Sequence, residues 1–315
     1  MRRSTERGLA LILVMWSLVL LTTIGLGFGY AARVETGGGL ALSDQVRAEA
    51  VAAGGVRRAI AGLIVEDRKL RWPADGLVRE LPWPDAILRA SVRPESAKID
   101  LNAAPRELLM GLFANLIPDG DAEALADAVL LRRDSSKGEG ATEAAAEPRA
   151  GRPARDELGA RATAQNRKPS LAEQPFATVD ELVQVPGFDA ATVQRLRPYL
   201  TVYSGSAKVD AGTADIEVLA AIPGVTRDSA ERFVVERAER VADGTRLDLA
   251  SLGAVANYVD ARAAAKVTNV RAMAYLRGGA TATVEAVLAP GGGAGFTLLE
   301  WREGAPLSGP MWGAR

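Results

Sequence analysis

The residues able to do chemistry are few. The chain has 315 residues with no histidine and no cysteine, which removes disulfides, Cys/His zinc sites, thiol nucleophiles and imidazole acid–base relays. Carboxylate, Ser/Lys and oxygen-ligand metal chemistry remain. The densest acidic group is Asp119-Gly120-Asp121-Ala122-Glu123 with Asp127. Oxygen ligands suit calcium, but no complete EF-hand loop surrounds them. Acids at a helix N-terminus, favoured by its dipole, account for the same group more simply. Ser135-Ser136-Lys137 lacks the Ser-x-x-Lys spacing, and no Gly-x-Ser-x-Gly elbow occurs. Nothing here composes an enzyme.

Two segments could instead bind phosphate. Asp180 to Phe188 and Glu217 to Val225 each read as a helix ending at Pro-Gly (Pro186-Gly187, Pro223-Gly224) before a second helix capped by Asp189 or Thr226. Thr178 and Glu181 have capping-box spacing. Helix-hairpin-helix modules of DNA-repair proteins look like this, with glycine amides facing a phosphate. Here carboxylates follow the turns, and Arg227 is the cation at hand, so structural hairpins are favoured over DNA contacts. The balance of 38 basic and 39 acidic residues gives no global field for nucleic acid.

The elements that position these groups begin with a charged start, Arg2, Arg3, Glu6 and Arg7, and an uncharged run from Gly8 to Ala32. As a helix that run is about 37 Å long, enough to span a bilayer core with the cationic end in the cytoplasm. From Leu40 to Leu70 apolar residues (Val46, Ala50, Ala53, Ile60, Leu63, Ile64) recur three or four apart, predicting an amphipathic helix that Gly37-Gly38-Gly39 and Gly54-Gly55 would bend. Residues 87–93 and 200–203 read as short strands, and 267–276, 281–288 and 296–301 as an antiparallel meander with glycine turns. Between 134 and 175 almost no large apolar side chain occurs, and disorder is expected.

A repeat links the two halves. Ser96-Ala97-Lys98-Ile99-Asp100 with Ala104, Glu107 and Leu109 recurs as Ser206-Ala207-Lys208-Val209-Asp210 with Ala214, Glu217 and Leu219. Each copy reads as a strand running into a helix, Pro105 sitting at the start of the first.

Two resemblances follow. Arg7-Gly8-Leu9 before the apolar run resembles the class III leader of type IV pilin-like proteins. That implies cleavage by prepilin peptidase after Gly8, a methylated Leu9 as first mature residue, and Leu13 at the fifth position, where most such proteins carry Glu. A subunit with Leu there offers no carboxylate to a neighbour's terminal amine, which suits a filament tip. In order, the leader, Ile99-Asp100-Leu101-Asn102-Ala103-Ala104, Glu107-Leu108-Leu109, the Asp180–Gly187 hairpin, Pro198 to Tyr203, the second repeat and Leu298 to Glu303 resemble the type II secretion minor pseudopilin K family.

The resemblance implies an α+β fold: a long N-terminal membrane helix and pilin-like antiparallel sheet, with a large inserted α-helical domain containing helix-hairpin-helix-like elements. The expected divisions are leader 1–8, membrane and assembly helix 9–32, amphipathic helix and first strands 33–101, inserted domain 102–198, second hairpin region and meander 199–303, and tail 304–315. It implies a non-enzymatic tip subunit of the periplasmic pseudopilus, starting its assembly and hence export across the outer membrane. Its partners would be minor pseudopilins I and J, prepilin peptidase and the inner membrane. The chain would be single-pass, N-terminus cytoplasmic and bulk periplasmic, without nucleic acid. No cofactor is required, though some members bind calcium, for which Asp119, Asp121, Glu123 and Asp127 are the candidates. The competing expectation is a membrane-anchored, competence-type DNA-binding protein.

Overall fold

The computed structural model describes residues 4–67, 69–143, 175–242, 245, 247–253, 255–261, 267–292 and 295–304. The side chains of 4–12, 26–41, 135–143 and 241–242 lie outside that set.

One helix, α1 (Ser4–Leu63), opens the chain. It continues through both glycine groups, where bends were expected. The reason at the second group is packing. A Cβ on Gly54 would stand 2.7 Å from the Trp83 ring, and one on Gly55 2.7 Å from Leu88 Cδ1 and 2.9 Å from Ala272 Cβ. The glycines let the helix lie close on a sheet, which offsets their cost of about 1 kcal/mol each in a helix interior. The face that is buried consists of Ala48, Val51, Ala52, Ala53, Val56 and Ala59. Val46 and Ile64, expected on that face, are 57% and 47% exposed.

The sheet has the order β1-β2-β7-β8-β9 and is antiparallel throughout, with β1 Arg79–Trp83, β2 Ala86–Pro94, β7 Thr268–Leu276, β8 Thr281–Pro290 and β9 Phe296–Glu303. Alternation builds its two faces. Leu88, Ala90, Val92, Val270, Ala272, Ala274, Val284, Ala286 and Leu288 form one apolar cluster with α1. Arg89, Ser91, Arg93, Asn269, Arg271, Thr283 and Glu285 stand at the alternate positions. The strand at 87–93 and the meander are found where the sequence placed them; β1 had no periodic signal over its five residues, of which Pro82 is one.

β2 and β7 are neighbours in the sheet, so the chain from 95 to 267 departs and returns between two adjacent strands. This excursion holds a second apolar cluster, from Ile99 to Val259. Its helices are α2 (Arg106–Leu116), α3 (Ala122–Glu143), α4 (Ala190–Leu196), α5 (Ile216–Ala220) and α6 (Arg227–Ala242). Two minimal parallel ladders tie it together, β3 (Ile99–Asp100) with β4 (Leu200–Thr201) and β5 (Val209–Asp210) with β6 (Val259–Asp260). The core joins residues on both sides of the division expected at Pro198, because the 200–203 strand pairs inside the helical body and not with the main sheet. α3 runs to Glu143, so the first part of the stretch expected to be disordered is helical; residues 144–174 lie outside the described set.

Candidate functional site

Gly8, Leu9 and Leu13 all fall on α1. Leu13 is 63% exposed and opens an exposed apolar run with Val14, Met15, Trp16, Leu18, Val19, Leu20, Leu21 and Ile24. Among the described residues nothing covers this run. Among the described residues no helix is long and apolar enough to cross a membrane; of the expected 9–32 span, the side chains of 9–12 and 26–32 lie outside that set.

The acidic group is engaged from within. Asp121 caps α3, its Oδ1 accepting from the Glu123 and Ala124 amides at 3.1 Å each. Arg106 on α2 donates to Glu123 Oε1 at 2.9 Å and to both Asp127 oxygens at 2.6 and 3.0 Å. That hydrogen bond holds the Asp127 carboxyl below its ordinary range. Asp119 is exposed in the preceding turn. Among the described residues no group of carboxylates is placed to hold a metal ion.

The repeat becomes a repeated piece of architecture. After β3, Asp100 folds the chain back: its Oδ1 accepts the Asn102 amide at 2.8 Å and its carbonyl the Ala104 amide at 2.9 Å. After β5, Asp210 does the same with Gly212 and Ala214, both at 2.9 Å. Asp100 also accepts from the Ser204 hydroxyl at 2.9 Å and the Gly205 amide at 2.7 Å; its burial nevertheless raises its pKa above the usual carboxylate value.

Each turn is then clamped by an arginine. Arg133 on α3 donates to the Leu101 and Ala104 carbonyls, the latter at 2.7 Å. Arg237 on α6 donates to the Ala211 and Ala214 carbonyls, both at 2.8 Å. The sequence reading missed both arginines, because their distances from the two turns differ and the 110-residue offset fails there. A signal existed. Each extends an apolar stripe at helical spacing, Ala126-Val129-Arg133 and Ala230-Phe233-Arg237.

The hairpin turns are alike. Phe188 donates to the Val185 carbonyl at 3.2 Å and Val225 to that of Ile222 at 3.0 Å, with Gly187 and Gly224 at φ +93° and +84°. A third turn, unremarked in the sequence, joins α2 to α3: Gly120 donates to the Ile117 carbonyl at 3.0 Å. Asp189 caps α4 by accepting the Thr192 amide at 2.7 Å, and Thr226 accepts the Ser229 amide at 3.2 Å. Two local expectations fail. The segment before Pro186 is a 3-10 helix, Val179–Gln184, and its Thr178 makes no capping bond; Glu181 reaches the Ala177 amide instead, at 3.3 Å. Arg227 is engaged by Glu217 at 3.3 Å and Glu231 at 3.1 Å, which leaves its charge neutralised where a phosphate would need it.

A polar cleft separates the helical body from the sheet, lined by Glu95, Lys98, Arg197, Tyr203, Glu300 and Arg302 among others. Glu285, 3% exposed, lies at its base and meets Lys98 at 3.4 Å, Arg271 at 3.3 Å and Arg302 at 3.2 Å. Burial would raise its pKa, but the three cations outweigh burial and hold it far below the carboxylate range.

Residues 88–205 match the family model described as type II secretion system (T2SS), protein K. The match bears out the resemblance to the minor pseudopilin K family. No curated protein matches the chain. A solved structure, the crystal structure of the GspK-GspI-GspJ complex from the enterotoxigenic Escherichia coli type 2 secretion system, is similar at 20% identity and a TM-score of 0.45. That alignment covers 87% of this chain and 99% of the other.

Proposed function

We propose that the chain is a minor pseudopilin of the type II secretion system, placed at the tip of the pseudopilus, where it starts filament assembly. The observation that carries this reading is the family match over residues 88–205. The exposed apolar run from Leu13 to Ile24 supports it, since such a surface calls for lipid before assembly and neighbouring helices after it. In this reading residues 9–32 anchor the chain in the inner membrane with Arg2, Arg3 and Arg7 on the cytoplasmic side. The helical body and sheet are periplasmic. Prepilin peptidase cleaves after Gly8, and Leu9 is methylated. Leu13 leaves no carboxylate for a subunit above, and the helical body, by its bulk, closes the end of the stack. Minor pseudopilins I and J are the partners.

The part played is mechanical: no acid–base pair or activated nucleophile is required of any residue. The acidic group at 119–127 serves as helix cap and ion pair, and no cofactor is needed. A DNA-binding role is not favoured, because Arg227 is held by Glu217 and Glu231.

Intact mass and N-terminal sequencing of the protein from its native membranes test the proposal. The expected product begins at methylated Leu9. An unprocessed Met1, or a start near Ala32, refutes the tip assignment.

A further inference from the structure

We infer that the polar network centred on Glu285 is a lock that fixes the orientation of the helical body on the sheet, each body being stabilised by a core of its own. The two apolar clusters share no residue. Val179 and Leu200 line the cleft between them together with Val287 of β8, and the specific contacts across it are polar. Lys98, at the outgoing crossing, reaches Glu285 at 3.4 Å, and Asn269 of β7 donates to Glu95 at 2.9 Å. Tyr203 of the helical body donates to Glu300 of β9 at 3.0 Å, and Arg93 of β2 pairs with Asp215, just before α5, at 2.5 Å.

The chemistry of these contacts is what makes them a lock. An apolar contact tolerates sliding; a buried carboxylate shared among Lys98, Arg271 and Arg302 has one arrangement that satisfies it and many that strand a charge. Polar junctions between separately cored bodies otherwise permit relative motion as the default. The network therefore adds orientation more than stability. For a protein acting through its shape, a helical body that swings would present no fixed face to a partner.

Because the chain has no cysteine, a spin-label pair can be introduced cleanly, by Ile87→Cys on β2 and Val235→Cys on α6, both exposed sites. Full-length protein in detergent is examined with and without Glu285→Gln, together with amide hydrogen exchange. Lys98→Gln forms a second variant, which removes the Glu285 cation that lies outside the sheet and keeps Arg271 and Arg302 in place. The expected result is a label-to-label distance distribution widened at least about twofold, with exchange protection of both cores retained. An unchanged distribution in folded Glu285→Gln overturns the inference. If Glu285→Gln fails to fold, the second variant decides: widening with both cores protected supports the lock, and an unchanged width overturns it.

Discussion

Gly111 on α2 is the position where the repeat can be tested most sharply. A Cβ built there would lie 2.0 Å from the Ala221 carbonyl oxygen, 2.8 Å from its carbon and 3.1 Å from its Cα. All three are backbone atoms at the end of α5, so no side-chain rotation relieves them. An ordinary carbon–oxygen contact needs about 3.3 Å, so α2 and the 216–221 segment must separate by roughly 1.3 Å. Separation of that size in a packed core costs typically about 1–3 kcal/mol. Glycine to alanine in a helix interior returns up to about 1 kcal/mol. Because the obstructing atoms are backbone and cannot rotate away, the upper part of the packing cost, about 2–3 kcal/mol, applies; Gly111→Ala should therefore lose about 1–2 kcal/mol net and lower the melting midpoint by roughly 2–8 °C. Circular dichroism melts of the full chain in detergent would measure it, with Gly292→Ala as the control, since nothing lies within 4 Å of a Cβ there. A midpoint that stays put or rises would refute the close approach of the two copies.

Two further outcomes follow from the same geometry. Arg237→Met removes two charged hydrogen bonds from the Ala211 and Ala214 carbonyls and should cost about 2–4 kcal/mol; Arg133→Met should behave alike, and chemical denaturation that leaves either midpoint unmoved would dismiss the clamps. Asp189 is held below the ordinary carboxylate pKa by the hydroxyl and amide of Thr192. Its contribution is thus present above the unfolded value and lost as pH falls through the folded one. Asp189→Asn, which still caps, should match the parent under strong acid and fall slightly behind at neutral pH, with a flatter acid limb in stability-versus-pH curves; parallel limbs would contradict the assignment.

How much of this was legible beforehand depended on the range of the forces involved. The meander and the 87–93 strand were readable because alternation is a local pattern that burial on one face enforces. The Asp189 and Thr226 caps were readable for the same reason. The role of Gly54 and Gly55 in α1 was not legible, since they answer to Trp83, Leu88 and Ala272, residues distant in sequence. The acidic group was legible as acids at a helix N-terminus, but the engagement of two of its members by Arg106, from the preceding helix, was not. The cleft was invisible because Glu285, Lys98 and Arg302 carry no spacing signal, and Glu285 in a strand reads as a solvent-facing residue unless its partners are known.

The duplication itself carries the last step. Leu101 and Ala104 correspond to Ala211 and Ala214, and each pair of carbonyls receives one arginine. Gly111 corresponds to Ala221, and these two equivalent positions touch. Contact between like positions is the pattern that isologous surfaces show in a dimer. The glycine is needed in one copy only, because one missing side chain is enough to let the backbones meet. The asymmetry that blurred the repeat in the sequence, glycine against alanine, is thus what the symmetric contact requires.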